Sequence, residues 1–220
     1  MWHVTPNFNV TYRYDEHGWR DIEDHENPRG EIVIVGCSYP FGWGVENEET
    51  WPALVAQSSW RSFRVLNISS PGWGPWQSKW ALKDFFSTRP VLDYDRSAPL
   101  VAVFYSWLDF HLERTSSRDL EGRDPTKAAV ELLSNMRQLC ERHQATFAVL
   151  HFTTSGNPAS DPVLETFKSQ GGEVIDLRAW CTRDIFPNDG HPQPSWHKGV
   201  ADGIARHPRI LEITSDGHGK

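Results

Sequence analysis

The chain has 220 residues, enough for one large α/β domain or two small ones with a sizeable core, and its 38% hydrophobic and 23% charged content fits neither a disordered chain nor a membrane-embedded one. Asp and Glu number 29 against 22 Lys and Arg, a net charge of −7 without basic clusters, which argues against nucleic acid or an anionic membrane as partner. Cys37, Cys140 and Cys181 form no paired framework, and the N-terminus carries neither a signal-peptide pattern nor an apolar span of membrane length, so a cytoplasmic protein is expected.

Residues 1–29 are polar and aromatic, with an alternating stretch from Phe8 to Tyr14, and read as an arm or edge hairpin packed on the main domain. Glu31–Gly36 is a continuous β-branched run, as expected of a strand buried on both faces. Thr50 can cap a helix that opens on Trp51-Pro52. Further strands are expected at 64–68, 100–105, 146–152 and 173–177. Helices are expected at 76–86, 126–143 and 196–205, the second on the apolar spacing of Ala129, Leu132, Leu133, Met136, Leu139 and Cys140. The segment 115–125 reads as a polar loop, residues 30–213 as the domain and 214–220 as a flexible tail. Strands alternating with helices imply a mainly parallel sheet with helices on both faces.

In open α/β sheets, ligands bind beyond the carboxyl ends of the strands. The loop after the first long strand reads Gly36-Cys37-Ser38-Tyr39-Pro40-Phe41-Gly42-Trp43-Gly44, where a small polar residue ahead of a glycine-rich turn can expose a serine nucleophile. Near the C-terminus, Asp189-Gly190-His191-Pro192 can supply a base and the carboxylate that orients it. Each element alone is common, since Gly-x-Ser occurs in many turns and Asn-Asp-Gly is itself a turn signal.

Together they match something specific. Gly36-Cys37-Ser38 with the following Phe41–Glu46 and Glu49–Pro52, then Asn67–Gly74, then Asp189–Pro192 with His197-Lys198-Gly199, resemble the first, second and fifth blocks of the SGNH/GDSL hydrolase superfamily. The resemblance runs over residues 14–205. It implies a three-layer α/β/α sandwich with a five-stranded, mainly parallel, flavodoxin-like sheet. It further implies Ser38 as nucleophile, His191 as base, Asp189 as its orienting acid, and the Ser38 and Gly72 amides as oxyanion donors, with no metal and no cofactor.

Two positions depart from the pattern. Cys37 replaces the aspartate of Gly-Asp-Ser and is read as a packing residue. The third block lacks its asparagine; the chain reads Trp107-Leu108-Asp109-Phe110-His111-Leu112-Glu113-Arg114, and His111 or Arg114 can replace the missing donor or hold an anionic substrate group. Trp43, Trp73, Trp76 and Trp107 follow strands and are expected to wall the site; Trp51, Trp60 and Trp80 are expected in the core. His197 is read as a helical residue, not a metal ligand. The function so implied is hydrolysis of an ester of a small molecule or carbohydrate. Acyl transfer from the same site is the alternative, and a non-catalytic binding relic the more distant one; the sequence is silent on oligomeric state.

Overall fold

The computed structural model describes residues 2–4, 8–22, 27–88, 98–108, 111, 123–153 and 161–215. At the N-terminus, β1 (Trp2–Val4) and β2 (Asn9–Thr11) pair antiparallel as a small sheet of their own. The main sheet holds β3 (Glu31–Val35), β4 (Arg64–Asn67), β5 (Leu100–Leu108), β6 (Thr146–Phe152) and β7 (Glu173–Asp176), in the order β4-β3-β5-β6-β7. All four neighbouring pairs are parallel.

Successive strand residues point to opposite faces, so the continuous apolar runs serve two cores at once. Ile32 and Ile34 enter one core while Val33 and Val35 enter the other; Ala148 and Leu150 divide in the same way from Phe147 and Val149. The first core is closed by α2 (Trp51–Ala56), α6 (Pro194–Arg206) and α7 (Pro208–Ser215), the second by α3 (Pro75–Thr88), α4 (Pro125–Arg142) and α5 (Pro162–Ser169). The result is the three-layer α/β/α arrangement, with a parallel five-stranded sheet at its centre.

Helix starts follow local chemistry. Five helices, α3 to α7, open on proline, whose missing N–H costs nothing in a first turn. Thr50 accepts the Ala53 amide at 3.3 Å, Asp124 accepts those of Thr126 and Lys127, and Asp161 those of Val163 and Leu164. The helix α5, which this Asp161-Pro162 start would signal, is absent from the sequence-based expectation, as is α7. Because α7 runs to Ser215 and buries Thr214, the expected tail loses its first two residues to a helix; residues 216–220 lie outside those described. Most of the expected 115–125 loop also lies outside them. No helix among the described residues is long and apolar enough to cross a membrane.

The N-terminal arm is fastened to the loop that follows the short helix α1 (Ser38–Phe41). The Tyr12 hydroxyl accepts the Gly44 amide at 2.8 Å, the Arg13 amide donates to Asn47 at 3.1 Å, and Asn47 returns its side-chain amide to the carbonyls of Arg13 and Asp21. Arg20 is 2% exposed, its guanidinium packed over the rings of Tyr12 and Phe41 and donating to the Val45 carbonyl at 2.8 Å. Burial pulls its pKa down to about 10.

Candidate active site

The strand β3 ends at Val35, and the chain turns at once into α1 with Ser38 as its first residue. The turn is tight because β3 and β5 lie side by side, with Val35 opposite Tyr105, which brings Gly36 against Ser106. A Cβ at position 36 would stand 2.8 Å from the Ser106 Cβ and 2.9 Å from Pro40, so only glycine fits. Cys37 is fully buried and joins the core containing Ile34 and Trp51, while the next side chain, Ser38, turns toward the loop at 189–191.

That loop supplies the rest of the constellation. Ser38 Oγ lies 2.8 Å from His191 Nε2, and His191 Nδ1 is in hydrogen-bond contact with Asp189 Oδ1. With Nδ1–H donating to the carboxylate, Nε2 is left to accept from the serine hydroxyl. The Asp189 turn takes its shape from left-handed backbone at Asn188 and Gly190, with the amides of Asp189 and Gly190 both donating to the Phe186 carbonyl. The structure brings the three residues Ser38, Asp189 and His191 together in one hydrogen-bonded series.

The loop after β4 reaches the same end of the sheet. The Ile68 amide donates to the Ile34 carbonyl and the Ser70 amide to the Gly36 carbonyl, so Gly72, exposed and at φ +81°, belongs to a loop stitched onto the nucleophile turn. Asn67, 1% exposed, binds both partners: its amide donates to the Pro40 carbonyl at 2.7 Å and its oxygen accepts the Ser69 amide. The sequence reading gives Asn67 no role of its own; a polar residue at the end of a buried strand is the signal that could have found it.

Of the expected aromatic wall, one member, Trp43, stands against a site residue. Trp43 is half-buried, with its ring centroid 6.0 Å from that of His191 and further ring contacts to Phe8 and Tyr12 of the arm. Trp73 is half-buried in the Gly72 loop. Trp107 corrects the expectation. The strand β5 continues to Leu108 instead of stopping at Tyr105, so Trp107 is a strand residue with no exposed surface, packed in the second core, and its indole donates to Asp161 Oδ2 at 2.6 Å. It lines no pocket. Trp76 sits on α3, 38% exposed, and Trp80, expected in the core, is 50% exposed; Trp51 and Trp60 are buried as expected.

His111 is also buried, its Nδ1 accepting the Leu108 amide at 3.2 Å between the rings of Tyr105 and Trp107, so a grip by this side chain on a solvent-borne substrate group finds no support. Arg114 lies outside the described residues. His197 is wholly buried in α6, where Nδ1 accepts the Trp51 amide at 3.2 Å and burial, aided by the Arg20 charge, pushes its pKa down to about 3. A neutral ring spent on a helix start is a structural role.

No protein-family profile matches the sequence, and no curated protein matches it. Solved structures do. A member of the lipolytic protein G-D-S-L family from Veillonella parvula superposes with a TM-score of 0.56 at 15% identity, over 81% of this chain and 98% of that one. A carbohydrate acetylesterase family member from Sinorhizobium meliloti gives 0.58 at 11% identity, over 84% and 99%. The acetyl xylan esterase Est2A from Butyrivibrio proteoclasticus gives 0.59 at 12% identity, over 89% of this chain and 66% of that one. Lipolytic G-D-S-L proteins and carbohydrate acetylesterases are therefore among the structural neighbours of this chain, and its parallel five-stranded sheet flanked by helices matches the fold of SGNH hydrolase structures.

Proposed function

We propose that the protein is a serine esterase that cleaves an ester of a small molecule or carbohydrate through an acyl-serine intermediate. The observation that carries the reading is the hydrogen-bonded series Ser38–His191–Asp189 at the carboxyl end of a parallel sheet. Ser38 Oγ attacks the acyl carbonyl as His191 Nε2 takes its proton, and Asp189 holds the imidazolium so formed. The amides of Ser38, at the start of α1, and of Gly72 receive the developing oxyanion, a donor of this kind being worth about 3 kcal/mol in the transition state. His191 returns the proton to the leaving alcohol; water, activated by the same imidazole, then releases the acid. Trp43 beside His191 and Trp73 beside Gly72 offer flat apolar walls for a sugar face or a short acyl group. The names of the structural neighbours favour acetyl groups on carbohydrates.

The test is incubation with p-nitrophenyl acetate, followed by mass spectrometry of the quenched protein. An acetyl group on Ser38 is expected, and Ser38→Ala should lose both adduct and turnover, by about three orders of magnitude or more, with folding intact. More than about a tenth of wild-type turnover in that variant would refute the assignment of the nucleophile. Repeating the assay with an alcohol or amine acceptor separates hydrolysis from transfer, since a transferase leaves the acetyl group on the acceptor.

A further inference from the structure

The turn that carries Asp189 and His191 is closed on itself. The amides of Asp189 and Gly190 donate to the Phe186 carbonyl, the Phe186 amide donates to the His191 carbonyl at 2.8 Å, and Ile185 bridges Pro192. These bonds set the shape of the turn and leave open its position relative to the nucleophile. From outside, Phe186 packs on Phe8 of the arm and the ring of Trp43 lies near that of His191, and two adjacent residues at the start of α1 add hydrogen bonds to the turn. Ser38 meets His191, and Tyr39 Oη donates to the Gly190 carbonyl at 2.8 Å.

The two bonds differ in what the proposed reaction asks of them. Ser38–His191 is broken and remade in every cycle, because the serine proton passes to Nε2 and on to the leaving group. It therefore cannot be what holds the imidazole in place while the acyl group sits on Ser38. The bond from Tyr39 takes no part in the chemistry and persists throughout. Its acceptor is the carbonyl of the Gly190–His191 peptide, so it restrains the plane from which the His191 side chain departs. The ring is 4% exposed and wedged between His191, at 5.8 Å between centroids, and Trp196 at 5.6 Å, so the hydroxyl has little freedom to leave.

We propose that Tyr39 is a positioning residue, acting through Gly190 to hold His191 Nε2 against Ser38 Oγ through both halves of the reaction. The inference rests on the esterase reading for its kinetic consequence and on geometry alone for its structural one. Tyr39→Phe is the variant of choice, because it keeps the ring against His191 and Trp196 and removes only the hydroxyl. With p-nitrophenyl acetate, kcat should fall about tenfold, the worth of one hydrogen bond, while KM stays within about twofold, since the walls of the site are unchanged. Hydrogen exchange without substrate should show faster exchange over 186–193, with β5 and β6 as protected as in the wild type. Those strands also report whether the variant is folded.

Unchanged exchange in the turn overturns the proposal, whatever the kinetics. So does a kcat within about twofold of wild type, or a parallel loss in kcat and KM-dependent binding, which would mean a site collapsed as a whole. A wild-type protein that shows no ester turnover and no acyl-Ser38 sinks the esterase reading instead. In that event the exchange measurement still decides whether Tyr39 holds the turn.

Discussion

His197 gives the structure a measurable acid sensitivity. Its ring has no exposed surface, its Nδ1 must stay unprotonated to accept the Trp51 amide, and Arg20 adds a charge of the wrong sign for an imidazolium. In the unfolded chain the same ring takes up a proton below about pH 6.5; in the folded chain it resists until about 3. The unfolded state thus binds the extra proton throughout that window, and folding stability falls as the pH falls through it, by up to about 1.4 kcal/mol for each unit. Between pH 7 and pH 5 the loss amounts to about 2 kcal/mol. His197→Asn removes the titration and keeps an oxygen that can accept the Trp51 amide, at the cost of a small cavity that does not depend on pH. Urea unfolding followed by tryptophan fluorescence, for both proteins at pH 7 and pH 5, reads the effect. The stability gap between wild type and variant should narrow by about 2 kcal/mol at the lower pH, other groups cancelling in the difference. Two curves that remain parallel would mean that the ring is protonated or solvated in the fold, and the argument would fail.

Two substitutions test the nucleophile turn. Cys37→Ala should leave kcat/KM within about tenfold of wild type, because the thiol is packed in the core and Ser38 faces His191; a loss as deep as that of Ser38→Ala would point to a thiol mechanism. Gly36→Ala drives a methyl group to 2.8 Å from Ser106 and 2.9 Å from Pro40 and should cost about 1–3 kcal/mol in chemical denaturation, partly recovered by adding Ser106→Gly. A variant as stable as wild type would show that the two strands are not packed as closely as described.

Much of the architecture is legible without coordinates because it depends on neighbours in the chain. Runs of β-branched residues mark strands buried on both faces, the apolar spacing from Ala129 to Cys140 marks α4 to within a residue at either end, and Thr50 marks the start of α2. The blocks around Ser38, Gly72 and Asp189–His191 are recognisable for the same reason, since a turn that must expose a side chain needs particular residues in a fixed order. The helix at 162–169 has an equally local signal in Asp161-Pro162, and goes unread only because a short amphipathic helix carries little periodicity.

What tertiary structure decides is everything that depends on which strand lies beside which. Ser106 looks like a strand end, yet it is buried against Gly36, just past the end of β3; β5 runs on because Ser106, Trp107 and Leu108 pair with Leu150, His151 and Phe152 of β6, and Trp107 falls in the second core alongside Tyr105 instead of in the site. The opposite error at Trp80 has a matching cause, since only the face of α3 turned to the sheet is buried, and that rotation is set by Leu82, Phe85 and Phe86 packing on β3 and α4. The meeting of Ser38 with His191 spans 153 positions of sequence, and the bond from Tyr39 to Gly190 spans 151. No local pattern encodes either distance. Both exist because a parallel sheet delivers the carboxyl ends of its strands to one edge, where loops remote in sequence are packed within hydrogen-bond reach.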